Sequence, residues 1–422
     1  MTPASQQRPV TGAEWRVMAL LVLSICLNYI DRTSFAAAAP AISSEFHISP
    51  THLGLILSAF FWLYPPFQIV SGWLVDRYNV SWVLGIGFLL WSLITGLTGF
   101  AASAATLLMI RVALGAAESP AYPSYGKIIA MQFPENRRGI CNSLIEVGNQ
   151  IGPALATLVG GLIVASFGWR VLFFSISLVG LLWIPAWIVW APRPAPKVRT
   201  IERRGGPSFI DIMRQRSAWG TFLGLFAINY VWIFLVTWLP SYLVMERHFS
   251  TRMMAVFASV PFWGLAGSTF LCGWLSDRWI TRGGTPTVVR KTFTVGGLVF
   301  CTALFLPAVL VGDAMIAIVL LTAACLAFGM TSSNVWTITQ TIAGPEVAGK
   351  WTGMQNAVGN LAGIAAPWLT GFIVARTGAF YVAFVLVCAF SMLGAVSFLF
   401  LVGRVEPVRW GSGLMIAGGV EV

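Results

Sequence analysis

Four ionisable residues stand in stretches that are otherwise apolar: Asp31, Arg32, Arg111 and Glu118. Placing a charge in hydrocarbon costs at least about 2.5–3.5 kcal/mol, so each needs a chemical reason. Asn28, Asp31 and Arg32 share one helix face through their i, i+3, i+4 spacing, and Arg111 and Glu118, seven apart, share another. A guanidinium holds a carboxylate through two parallel hydrogen bonds, so Arg32 and Arg111 suit an organic anion. Asp31 and Glu118 suit protons. An anion arriving at an arginine competes with these acids for its charge, which links substrate and proton occupancy thermodynamically. The alternative is a pair of structural ion bridges, Asp31–Arg111 and Arg32–Glu118. Two acids and two arginines exceed what packing needs, and the second half of the chain offers only Trp232 and Ile233 at the repeat positions of Asp31 and Arg32. His47, His52 and His248 fall in loops, which leaves carboxylates as the intramembrane proton carriers. Glu146 is expected either to pair with Lys127 or to act in a gate or in proton release.

The elements that must position these residues are membrane spans. Of 422 residues, 57% are hydrophobic and 10% charged, against about 45–50% and about 25% in soluble proteins. This composition excludes a soluble globule and a disordered chain. The net charge of +11 would suit a nucleic-acid partner in a soluble protein; here it reads as loop charge on one side of a bilayer, and no nucleic acid is expected. A spanning helix needs about 20 apolar residues. Twelve candidates are predicted, at 14–38, 52–76, 80–102, 105–130, 139–164, 168–191, 217–243, 252–276, 289–311, 314–340, 349–375 and 379–402. The first is too long for a cleaved signal and reads as a retained span. Only Arg170, Arg247, Arg252 and Arg376 fall on the side opposite the N-terminus, with Arg32 and Arg111 inside spans; the other 20 basic residues share the N-terminal side. The positive-inside rule then puts both termini in the cytoplasm, in a multi-pass protein of the inner (plasma) membrane. The six cysteines lie in apolar runs without a CxxC pair, so neither a disulfide nor a metal is expected. No cofactor is expected either, and the oligomeric expectation is a monomer.

A basic, Pro-rich stretch at 192–216 divides the chain into six-helix halves, 1–191 and 217–422, joined by a cytoplasmic linker. An internal repeat supports this division. Gly72-Trp73-Leu74-Val75-Asp76-Arg77 recurs as Gly273-Trp274-Leu275-Ser276-Asp277-Arg278, and Asn28-Tyr29 as Asn229-Tyr230. Repeated halves of this kind mark secondary transporters, with the substrate between them. The second half adds uncharged polar groups: Asn229, Tyr230, Trp232, Ser332, Ser333, Asn334, Trp336, Thr337, Gln355, Asn356 and Asn360. These suit the hydroxyls of a polyol acid or simple interhelical hydrogen bonds.

The two Gly-xxx-Asp-Arg loops resemble the cytoplasmic signature of the major facilitator superfamily. Asn28-Tyr29-Ile30-Asp31-Arg32 and the Arg111…Glu118-Ser119-Pro120 stretch resemble its anion:cation symporter family, which includes bacterial galactonate, glucarate and hexuronate permeases. The resemblance covers essentially the whole chain. It implies an all-α fold of two pseudo-symmetric six-helix bundles. It also implies proton coupling at Asp31 and Glu118, anion binding at Arg32 and Arg111, and substrate contacts from Tyr29, Tyr64, Ser333 and Asn356. Asn149 stands where those permeases carry a Gln that contacts substrate, and Glu146 where they carry a neutral residue. Asp76, Arg77, Asp277 and Arg278, with Arg138, would form the cytoplasmic gate through charge pairs and helix ends.

The function expected is proton-coupled import of a small organic anion, a sugar acid such as an aldonate, aldarate or hexuronate, by alternating access. The rivals are a symporter of another carboxylate (an aromatic acid or a dicarboxylate) and an exporter; a cation exporter would want an acidic cavity, against the arginine pair. A membrane-embedded hydrolase would need a nucleophile with a base, and no GxSxG or HExxH run is present, so no enzyme is expected. A sensor would be expected to carry a signalling domain.

Overall fold

The computed structural model describes residues 10–133, 135–192, 207–408 and 410. Every regular element among them is helical. In the first half these are α1 (Gly12–Phe46), α2 (Pro50–Arg77), α3 (Val80–Thr98), α4 (Ala104–Glu118), α5 (Ala121–Gln132), α6 (Glu135–Leu155), α7 (Gly161–Phe167) and α8 (Trp169–Trp190). The second half has α9 (Phe209–Met213), α10 (Arg216–Met245), α11 (Thr251–Thr281), α12 (Pro286–Leu310), α13 (Ala314–Asn360), α14 (Ala362–Thr377) and α15 (Tyr381–Val396).

Eleven of these runs are long and apolar enough to cross a membrane. The remaining expected span, 105–130, is delivered as α4 and α5, interrupted at Ser119–Pro120. Proline lacks an N–H and crowds the preceding turn, yet other prolines, such as Pro65, Pro66, Pro153 and Pro240, sit inside unbroken helices. α13 joins the tenth expected span to the start of the eleventh, two helical stretches that meet at Gly344, whose φ of 68° is open to glycine, and α14 completes the eleventh. Between α6 and α7 the helix widens into one π-turn at 156–160; the Thr157 hydroxyl donates to the carbonyl oxygen of Pro153.

Helix starts follow the sequence closely. Thr11 and Glu14 form a reciprocal capping box on α1. Ser208 and Asp211 repeat it on the short helix α9; the Ser208 hydroxyl and N–H both donate to Asp211, which holds that carboxyl below the usual carboxylate range. One apolar core belongs wholly to the first half, where Phe88 stacks on Trp183 and Trp183 on Trp187 at 4.0 and 4.9 Å between ring centres. A larger core is drawn mostly from the second half, with Phe35, Ile42, Leu53 and Trp169 from the first.

The halves approach most closely in the parts of their spans remote from the termini. A Cβ on Gly54 of α2 would fall 2.4 Å from the Pro367 carbonyl oxygen of α14, and one on Gly371 would fall 2.3 Å from that of Pro50. On the opposite flank, a Cβ on Gly161 would lie 2.6 Å from that of Ala255 in α11. Small residues let helix backbones meet in this way.

Candidate functional site

The four intramembrane charges converge where α1 meets α2, α3 and α4. Close packing of α2 on α4 sets the floor: Gly115 faces the Phe60 carbonyl oxygen so tightly that a Cβ would be 2.0 Å from it. The Phe60 ring therefore lies beneath both guanidiniums, 4.6 Å from Arg32 and 5.3 Å from Arg111. Tyr29 and Tyr64 complete the seat of Arg32 at 5.0 and 4.4 Å, and Phe35 lies 4.9 Å from Arg111. Aromatic faces attract a cation through the ring quadrupole. This replaces part of the hydration that the arginines lack here.

Glu118 closes α4 and is fully buried. Its Oε2 accepts from Arg32 Nε at 2.7 Å and from Asn28 Nδ2 at 2.8 Å. The spacing that put Asn28 and Arg32 on one face of α1 thus delivers both to one carboxylate. Asp31 turns elsewhere: its carboxylate accepts from the Thr95 hydroxyl of α3. Of the two structural pairs weighed as the alternative, Arg32–Glu118 forms and Asp31–Arg111 does not, among the described residues. Asp31 is engaged by Thr95 of α3, while the Arg111 guanidinium lies over the Phe35 and Phe60 rings. Four buried polar atoms of the cluster have no hydrogen-bond partner: Asn28 Oδ1, an Arg32 terminal nitrogen, Arg111 Nε and Glu118 Oε1.

Toward the N-terminal side the cluster continues in hydroxyls. Tyr29 meets Tyr122 of α5 at 3.3 Å between oxygens, and Ser24 meets Tyr125 at 2.6 Å. On α6, Asn149 donates to Glu146 Oε2 at 3.1 Å. The expected Glu146–Lys127 pair is absent. Lys127 instead donates to Asp76 Oδ1 and to the Val75 carbonyl oxygen, each at 2.7 Å, because α5 ends beside the C-terminus of α2.

The expected gate residues divide by half. Asp76 holds Lys127, while Asp277 binds Arg290 at 3.2 Å. Arg77 and Arg278 each lie over a tryptophan of their own helix, Trp73 and Trp274, at 5.6 and 5.0 Å. Arg138 donates to the carbonyl oxygens of Ala130 and Phe133 at the end of α5. Each of these contacts stays within one half of the chain.

The second-half polar residues separate into two groups. Asn356 is half-buried on α13. The side chain of Ser333 lies outside the described residues. Asn334 accepts from Ser276 and Arg290, and Gln355 donates to the Thr221 carbonyl oxygen, so both tie helices together. Sequence reasoning passed over Thr95 and Phe60. A threonine and a phenylalanine in apolar spans carry no signal of their own; only the partner across the helix boundary gives them a part in the site.

Eleven long apolar helical runs and the divided α4–α5 span, with charged side chains buried among them, fit a polytopic membrane protein. The sequence profile described as Major Facilitator Superfamily matches residues 21–367, and the chain belongs to that superfamily. A hexuronate transporter of Bacillus subtilis is 30% identical over 404 residues, 91% of this chain and 94% of its own. A D-galactonate transporter of Escherichia coli is 28% identical over 429 residues, 95% of this chain and 99% of its own. The crystal structure of a D-xylose-proton symporter shares the fold with a TM-score of 0.78 at 15% identity, covering 93% of this chain and 98% of that one.

Proposed function

We propose that the chain imports a sugar acid (an aldonate, aldarate or hexuronate) together with protons, by alternating access. The observation that carries this reading is the pair of partly buried Arg32 and fully buried Glu118, with the unpartnered atoms around it. Buried polar atoms almost always find partners. Unpaired nitrogens on two guanidiniums and an unpaired oxygen on Glu118 together fit a carboxylate ligand and an exchangeable proton. The names of the hexuronate and galactonate relatives support the same substrate class.

In this reading Arg32 and Arg111 hold the substrate carboxylate, and Asp31 and Glu118 carry protons. Tyr29, Tyr64, Asn149, Ser333 and Asn356 line the path of its hydroxyls. A carboxylate reaching Arg32 competes with Glu118 for the same guanidinium, so Glu118 is released to bind a proton as substrate binds. The two bundles, 1–191 and 217–422, rock about this centre while the 192–216 linker follows, in a monomer. The protein sits in the plasma membrane with cytoplasmic termini. The contacts of Gly54 and Gly161 with the other half then seal the external face, which makes this the inward-facing state. Asp76, Arg77, Arg138, Asp277 and Arg278 assemble into the cytoplasmic gate when the bundles rock the other way.

The test is uptake into proteoliposomes of a panel of sugar acids, with and without an inward proton gradient. Accumulation above equilibrium, dependent on the gradient, is expected for at least one acid. Absence of uptake of every acid under every gradient overturns the reading.

A further inference from the structure

The one intramembrane acid that the proposed mechanism leaves unused is Glu146. Its helix presents three distinct faces at 100° per residue. Gly148 and Gly152 meet α1 so closely that a Cβ on either would fall 2.6 Å from Ile25 or Tyr29. Val147 and Ile151 line an apolar outer groove of about 450 Å³ with Trp15, Met18 and Leu23. Glu146, Asn149 and Gln150 share what remains, the face directed away from that groove.

On this face the carboxylate has no cationic partner among the described residues. Its Oε2 accepts only from Asn149, three residues on, and Lys127 is engaged by Asp76. The buried oxygens Asn149 Oδ1 and Gln150 Oε1 have no donor. Tyr29, which Gly152 of this helix approaches so closely, meets the Tyr122 hydroxyl and lies under Arg32. Tyr29 is one turn from Arg32 along α1, about 4.5 Å. Where α1 packs on α6, α1 therefore carries guanidinium nitrogens, and α6 carries acceptor oxygens and a negative charge.

We infer that Glu146, with Asn149 and Gln150, forms a second subsite that takes the donor end of the substrate and rejects a second carboxylate. This rests on the sugar-acid reading above and narrows it. The substrate is a monocarboxylate whose far end bears hydroxyl or ammonium donors, and an aldarate is disfavoured because its second carboxylate would stand against Glu146. Specificity of this kind comes from a repulsive element as much as from an attractive one.

The experiment compares an aldonate with the aldarate of the same carbon skeleton, by competition in proteoliposome counterflow, for the wild type, Glu146→Gln and Glu146→Asp. The wild type is expected to prefer the aldonate by at least about tenfold, a free-energy difference of about 1.4 kcal/mol. Glu146→Gln is expected to shrink that ratio to near unity, and Glu146→Asp, which keeps the charge, to preserve it. Equal use of both acids by the wild type overturns the inference, whether or not either variant folds. So does a ratio that Glu146→Gln leaves unchanged. In both cases transport itself persists and the sugar-acid reading stands, whereas failure of the wild type to carry any acid overturns that reading and this inference together.

Discussion

The mostly buried Arg32 and the buried Arg111 both lie on aromatic faces, yet only Arg32 has an anionic partner at hydrogen-bond distance. That difference separates two roles. Under the proposed symport, Arg111, with Nε free, receives the incoming carboxylate, and Arg32 couples that event to Glu118. Arg111→Ala is expected to weaken substrate binding by at least about 30-fold, since a charged hydrogen-bonding partner at a buried site is worth about 2–5 kcal/mol or more. Binding measured by calorimetry at near wild-type affinity would remove Arg111 from the anion site. Glu118→Gln keeps the shape of the side chain but cannot release a proton. Counterflow exchange is expected to persist in that variant while gradient-driven accumulation is lost; accumulation at the wild-type level would show that the coupling proton rides elsewhere.

At the scale of the elements, the site depends on how closely α2 lies on α4. Gly115 permits the approach because it has no Cβ to meet the Phe60 carbonyl oxygen, and Phe60 then supports both arginines. Gly115→Ala inserts an atom where there is no space, and overpacking of this kind costs typically about 1–3 kcal/mol. The thermal unfolding midpoint in detergent is expected to fall, and substrate affinity with it, as Phe60 moves. An unchanged midpoint would mean that the helices separate there without cost. The interruption of the fourth span belongs to this scale too. The sequence reads as one span over 105–130; Ser119-Pro120 is visible in it, but Pro65 and Pro240 are equally visible and sit inside continuous helices. Whether a proline breaks a helix depends on which neighbours take up the freed backbone groups, and a sequence does not name those neighbours.

For the whole molecule, the relevant quantity is the free-energy balance between the conformation closed at the Gly54 and Gly161 contacts and the one open there. A side chain at Gly54 opposes the closed arrangement, because its Cβ meets backbone atoms of Pro367 and Gly371 and not a side chain that could turn aside. Gly54→Val is expected to slow transport severely and to raise the labelling of a cysteine placed at Ser49 by a membrane-impermeant maleimide from the external side. Normal transport together with unchanged labelling would show that this contact does not limit the cycle.

The sequence alone determined the spans and the identity of the charges within them. Hydrocarbon makes every unpaired polar group expensive, so a chain must write its spans as long apolar runs and can afford charge there only for a purpose. It also determined which residues share a helix face, since helical spacing is local: Asn28 and Arg32 reach the same carboxylate as their i, i+4 spacing implies. Only the tertiary structure decided the partners across helices. Asp31 went to Thr95 instead of Arg111, and Lys127 to Asp76 instead of Glu146. Those choices rest on distances of a few ångströms between residues some fifty to sixty positions apart in the chain. Packing at residues such as Gly115 and Phe60 sets these distances, and nothing in the local pattern of charge or hydrophobicity encodes them.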